Sequence, residues 1–218
     1  NASADSTLNT YISSAWIDGA PYELDGTNNI VIGEYSGEKI TSDFNTIVGA
    51  SSLSRQGSDG LSPVTSSSVS SVGNTFLGSF TGHGTKIAGT GYNTAIGFAA
   101  FSNDYTYSGA GEPDLTLNGD QNTFIGPFAA SYVSYGQDLI DNSLPNYKFT
   151  IGIGSQTLAG AFGNYENVIA IGGTSLKSAS GNNRDSIFIG TASGLGSDGL
   201  REFIAIGEDA GSTRGFPQ

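Results

Sequence analysis

The chain has 218 residues, 33 of them Gly, and a formal net charge of −12 from 8 Lys and Arg against 20 Asp and Glu. A surface this acidic, with no basic cluster to interrupt it, excludes nucleic acid as a partner. Cys is absent, which excludes disulfides and thiolate metal sites, and no apolar run approaches the roughly 18 residues of a membrane-spanning helix, so no membrane insertion is expected.

Glycine is present at about twice its usual share of about 7%. Ser, Thr, Asn and Ala dominate the rest, and aromatics make up 11%. This is the composition of many short strands joined by tight turns, where Gly supplies positive φ without steric cost. Met is absent too, including at position 1, so the chain reads as a fragment or a processed product.

Residues 1–27 lie outside the repeated pattern and carry Tyr11, Trp16 and Tyr22. They are expected to form an N-terminal cap or a junction to a preceding shaft. From residue 28 to 218 a short template recurs: aliphatic, Gly, two variable residues, then Ala, Ser or Thr. Its glycines are Gly33, Gly49, Gly78, Gly97, Gly126, Gly154, Gly172, Gly190 and Gly207. All nine instances end on a small residue, which chance would not produce.

A β-like run precedes each glycine. Early runs read Asn45-Thr46-Ile47-Val48, Asn74-Thr75-Phe76-Leu77, Asn93-Thr94-Ala95-Ile96 and Asn122-Thr123-Phe124-Ile125. Late runs alternate with period two, as in Val168-Ile169-Ala170-Ile171, so Ile169 and Ile171 share one face and Ala170 takes the other. One strand per repeat, ended by a Gly turn, is predicted. The small residue is expected to begin a second strand where backbones approach closely.

Five glycine-to-glycine intervals run from 16 to 19 residues and three are 28 or 29. A coil this short cannot bury an apolar face alone and must stack on its neighbours. The fold class is therefore all-β: a parallel β-roll or β-solenoid of nine coils, with insertions at about 54–73, 102–121 and 131–148. Its Ile and Ala positions look too small and too few to fill a wide monomeric core, which predicts a homotrimer packed around an axis.

The late repeats, Val168-Ile169-Ala170-Ile171-Gly172 and Phe203-Ile204-Ala205-Ile206-Gly207-Glu208-Asp209-Ala210, resemble the head repeat of YadA-like trimeric autotransporter adhesins. The early Asn-Thr-x-aliphatic-Gly repeats look more like Gly-rich shafts of phage tail fibres and related bacterial fibre adhesins. The resemblance covers residues 28 to 212. It implies a left-handed parallel β-roll, three chains about one axis, and an extracellular fibre on a virion tail or a bacterial surface. These coils are longer and less uniform than the autotransporter repeat, which favours the phage-type fibre.

Binding usually lives on loops held by a rigid scaffold. The candidate ligand-binding residues are therefore Tyr105, Tyr107, Asp120, Tyr132, Tyr135 and Tyr147 in the second and third insertions. Tyr offers an apolar ring for a sugar plus a hydroxyl, at low entropic cost. The competing reading is that these rings only pack loops onto the solenoid. The function expected is receptor binding, to a cell-surface glycan or protein, without catalysis. The alternatives are a structural shaft spacer and a glycan-cleaving tailspike-like enzyme, for which the carboxylates of the insertions are better explained as turn formers. An ice-binding face needs a regular Thr ladder, and Thr46, Thr75, Thr94 and Thr123 stop halfway along the chain. No cofactor is expected. Calcium is the ion that the Asp and Asn oxygens would suit, and the sole His, His83, can bind a metal only where copies meet on an axis.

Overall fold

The structure is a computed structural model that describes residues 9–12, 23–24, 26–34, 36–37, 39–53, 68–83, 86–102, 116–131, 146–160 and 164–213. These residues contain no helix and form a parallel β-solenoid of about seven turns. Strands alternate between two sheets. The first sheet holds β1 (Thr10–Ile12), β3 (Ile30–Ile32), β5 (Thr46–Val48), β7 (Thr75–Leu77), β9 (Thr94–Ile96), β11 (Thr123–Ile125), β13 (Ile151–Ile153) and β16 (Ile204–Ile206). The second holds β2 (Glu23–Leu24), β4 (Lys39–Ile40), β6 (Ser68–Val69), β8 (Lys86–Gly91), β10 (Thr116–Asp120) and β12 (Asn146–Lys148). Two longer strands, β14 (Asn164–Ile171) and β15 (Asn182–Ile189), run through both sheets and turn the corner at Asn167 and Asp185, where φ is +54° and +49°.

The register is strict along the first sheet. Ile12, Ile32, Val48, Leu77, Ile96 and Ile125 lie on one line from β1 to β11, and the line continues through β13 to Ile206 of β16. The strands are only three residues long because each is bounded on both sides. Upstream sits a residue with positive φ, such as Phe44, Tyr92 or Gln121, which makes the corner between the sheets. An Asn follows at that corner in the first half of the stack. Asn29, Asn45, Asn74, Asn93 and Asn122 form a buried ladder. Each Oδ1 accepts the backbone and side-chain N–H of the next Asn, at 2.8 and 3.1 Å for Asn45 on Asn29 and 3.0 and 2.9 Å for Asn74 on Asn45. Thr150 ends the ladder, its N–H donating to Asn122 at 2.9 Å.

Downstream sits the marker glycine. At Gly172 φ is +132°, and a Cβ there would lie 2.4 Å from the carbonyl oxygen of Gly190 in the next coil. The same contact recurs from Gly33 to Gly190, so the nine glycines stack as one row that admits no side chain until Gly207. The small third residue after the glycine then closes the turn. Thr81 is buried, and its hydroxyl donates to the Gly78 and Gly97 carbonyls at 2.9 and 2.8 Å. It belongs to the corner and not to a strand, contrary to the sequence expectation. The second strand of each coil comes later, as β4, β6, β8, β10 and β12.

Glycine makes room for large side chains in the interior. A Cβ at Gly82 would meet Leu53 at 2.8 Å and Phe76 at 3.2 Å, one at Gly152 would meet Leu158 at 3.0 Å and Phe124 at 3.1 Å, and one at Gly194 would meet the Phe188 ring at 2.6 Å. Across coils the rings continue one another: Phe101 and Phe124 stack with centroids 5.1 Å apart, and Tyr147 meets Phe124 at 5.2 Å and Tyr165 at 5.4 Å. Burial of each such ring stabilises the stack by roughly 1.5–3 kcal/mol.

This closed interior corrects the expectation that the core needs three chains. Aromatic and Leu side chains fill it, while the template's Ile residues face outward: Ala170 is fully buried and Ile189 is 37% exposed. The coil count differs as well. Nine coils are expected from nine glycines, and the described residues form about seven turns. Within residues 1–27, β1 pairs with β3 and β2 with β4, extending the stack. The expected insertions are shorter than drawn, since β6, β10 and β12 are regular strands that pair with their neighbours.

Candidate functional site

The coils of β5, β7, β9 and β11 are consecutive in the stack. After each marker glycine the chain turns through residues of alternating φ sign, as at Gly126, Phe128 and Ala130 with φ of +130°, +57° and +51°. These turns are tied to one another coil by coil. Phe80 N–H donates to Ala50 O at 2.9 Å, Ala99 to Ser79 at 3.0 Å and Phe128 to Phe98 at 2.9 Å. At the far end of this turn row stand Leu53, Ser102 and Ser131, one in each of the three glycine-to-glycine intervals of 28 or 29 residues. The second-sheet strands of those intervals are β6, β10 and β12, with β8 between β6 and β10. Coils rise about 4.8 Å each, so these three residues fall within about 14 Å along the stack.

Beside these points stands an aromatic ridge. Phe80 and Phe98 are 40% and 50% exposed, and Phe128 is half-buried. Their rings meet edge to face, Phe80 to Phe98 at 5.7 Å and Phe98 to Phe128 at 5.4 Å, and the His83 ring meets Phe80 at 5.5 Å. Sequence reading treated the two residues after each glycine as variable and missed this ridge. The signal was Phe80, Phe98 and Phe128 occupying those positions in three successive repeats.

Of the expected ligand-binding residues, Tyr105, Tyr107, Tyr132 and Tyr135 lie outside the described residues. Asp120 ends β10, partly exposed on the outer face of the second sheet, in register with Lys148, Glu166 and Arg184. That row is polar: Glu166 pairs with Lys148 at 3.8 Å and with Arg184 at 3.2 Å. Tyr147 is a correction. It is 1% exposed, deep among Phe101, Phe124 and Tyr165, so its ring is core and cannot stack on a ligand from solvent. Burial, with the Tyr165 phenol beside it, pushes its hydroxyl well above the usual tyrosine range. His83 has Phe80 as its ring neighbour, and among the described residues no three His, Asp or Glu side chains come together in a metal-binding group.

The other outer face is of opposite character. On the first sheet the line from Ile12 to Ile206 is aliphatic in every rung. Ile125, Ile153 and Ile189 are 36%, 36% and 37% exposed, and no charged residue interrupts the row. Comparison with protein-family models, curated proteins and solved structures gives no match to this chain.

Proposed function

We propose that the chain is a segment of an extracellular trimeric fibre, on a virion tail or a bacterial surface, whose inserted loops bind a cell-surface receptor. The observation that carries this reading is the aliphatic row along the outside of the first sheet. A coil that closes its own core has no internal need for an Ile, Val or Leu on its outer face in every rung. A partner that covers the row must be as long and must repeat at the same rise of about 4.8 Å per rung. Another copy of this chain meets both conditions, and cyclic symmetry lets every copy bury the same face. The charged second sheet is then left facing water. The head-repeat resemblance fits this arrangement.

Receptor binding is supported by the three longest glycine-to-glycine intervals, which run on from Leu53, Ser102 and Ser131 within four consecutive coils. Tyr105, Tyr107, Tyr132 and Tyr135 follow two of them in sequence. Three copies of a weak site raise avidity on a crowded surface by about 10² or more. The reading assigns no catalytic group. A spacer role is favoured only in the regular coils of β13 to β16, where 18- and 17-residue intervals leave no room for a large loop. The test is a glycan array and a cell-binding assay on the whole chain, alongside Tyr107→Ala with Tyr135→Ala. Binding lost in the double variant, with its melting curve unchanged, is the expected result. Binding retained at full strength removes these tyrosines from the receptor site.

A further inference from the structure

The corner between the two sheets places one residue of positive φ in each coil, and these residues stand in a row. Phe44 N–H donates to Thr27 O at 3.1 Å, Gly73 to Asp43 at 3.1 Å, Tyr92 to Val72 at 2.9 Å, Gln121 to Gly91 at 2.9 Å and Phe149 to Asp120 at 3.0 Å. Asn28 opens the row, and Asn167, Asp185 and Glu202 continue it. Gly, Asn and Asp suit this left-handed backbone, whereas a bulky side chain there is an outlier. Phe44, Tyr92 and Phe149 nevertheless adopt it, at φ of +60°, +59° and +50°, and they are 60%, 60% and 43% exposed. Three rings thus accept both a strained backbone and water, at a position where Asn28, Gly73 and Asn167 serve the fold in other coils. Strain of this kind, kept where the fold does not need it, points to function.

The three rings occupy every second rung. Gly73 stands between Phe44 and Tyr92, and a Cβ there would meet the Tyr92 ring at 2.8 Å, so only Gly leaves room for it. Exposed Gln121 stands between Tyr92 and Phe149. We propose that this corner binds a linear, uncharged glycan along the stack, at a site separate from the loop tyrosines. Two rungs span about 10 Å, close to the length of a disaccharide in an extended chain. A β-linked chain whose successive sugars alternate in orientation turns the same face to the protein at every second sugar. That face carries C–H groups that stack on an aromatic ring. Polar groups lie between the rings for the sugar hydroxyls: the Gln121 amide, the Asp120 carboxylate one residue before it, and the Lys148 amine, which lies over the Phe149 ring 5.5 Å from its centroid. The net charge of −12 repels an acidic polysaccharide. Rings set apart by Gly and Gln do not form the contiguous apolar patch that a protein partner would cover.

The experiment uses the whole chain in three forms: unaltered, Phe44→Asn with Tyr92→Asn and Phe149→Asn, and Tyr107→Ala with Tyr135→Ala. Affinity electrophoresis is run in gels holding hydroxyethylcellulose, a linear β-1,3-glucan or a galactomannan, with polygalacturonate as the acidic control. Calorimetry then compares a hexasaccharide with a disaccharide of the retarding type. At least one neutral polysaccharide should retard the unaltered chain, and polygalacturonate should not. Phe44 to Phe149 spans about 20 Å, so the hexasaccharide should bind about tenfold or more tighter than the disaccharide. The triple variant should lose about 100-fold or more in affinity. Its melting temperature should hold or rise, because Asn suits the corner. The loop pair should bind like the unaltered chain. No retardation by any neutral polysaccharide, or binding unchanged in the triple variant, would overturn the proposal. So would a lowered melting temperature in that variant, which would give the rings a role in the fold. Binding lost in the loop pair alone would place the glycan on the loops, supporting the receptor reading above and overturning this one.

Discussion

At the scale of single residues, the repeat is written by backbone conformation. The marker glycines are needed twice over: for φ between +125° and +143°, and because each Cα lies against the next coil's carbonyl. Gly207 separates the two demands, having φ of +125° but nothing within 4 Å of its would-be Cβ. Gly172→Ala is therefore expected to cost about 2–4 kcal/mol, from strain plus a backbone clash, and Gly207→Ala only about 1–2 kcal/mol. Thermal melts of the two variants check this, and equal costs would mean that packing between glycines contributes nothing. The corner residue tells the same story without glycine. Gln121 is exposed with φ of +54°, while other coils place Asn28, Gly73, Asn167 and Asp185 at the equivalent corner. Gln121→Gly is predicted to stabilise by about 0.5–1 kcal/mol, read as a raised melting temperature. The Gly-x-x-small template was legible because it is a backbone requirement repeated nine times. The corner was not, because residues as different as Phe44 and Asp185 adopt it.

At the scale of strands and coils, the sequence announces one sheet and conceals the other. The first sheet carries Asn-Thr before its strands and Gly after them, so its rungs stand out. Strands such as β2 and β6 are two residues long and carry no repeated motif, so β6, β10 and β12 are indistinguishable in the sequence from the insertions expected around them. Tyr147 shows the consequence: in a loop it would be a binding ring, but on β12 it is core. Its burial gives a pH prediction. The phenol's folded pKa lies well above its unfolded value, so the neutral ring contributes stability that is fully present below about pH 10 and lost as the pH rises further. Melting temperatures between pH 8 and pH 11.5 should fall less steeply above about pH 10 in Tyr147→Phe than in the unaltered chain. Parallel curves would contradict the assignment. Phe101→Ala, which empties a stack running from Phe76 to Tyr147, is expected to destabilise by about 3–5 kcal/mol.

At the scale of the whole molecule, three faces divide the work. The second sheet presents ion pairs and amides to water, as in Lys148–Glu166–Arg184 and the Asn164–Asn182 bond at 2.7 Å. The turn row carries the aromatic ridge beside Leu53, Ser102 and Ser131. The first sheet presents the aliphatic row through which copies are proposed to associate. In the sequence, trimerisation follows from a thin coil whose Ile and Ala would leave a core underfilled. The core is instead full, and the face a partner is proposed to cover is the row of outward isoleucines, which period-two alternation places on one face without saying which face meets water. Association must also overcome the charge of −12 on every copy, so raising the salt concentration from about 10 mM to 0.5 M should tighten it by screening. The most direct test is the mass of the unaltered chain in solution at micromolar concentration, by light scattering coupled to size exclusion. The account predicts three times 22.3 kDa, and a folded species that stays at 22.3 kDa would contradict it.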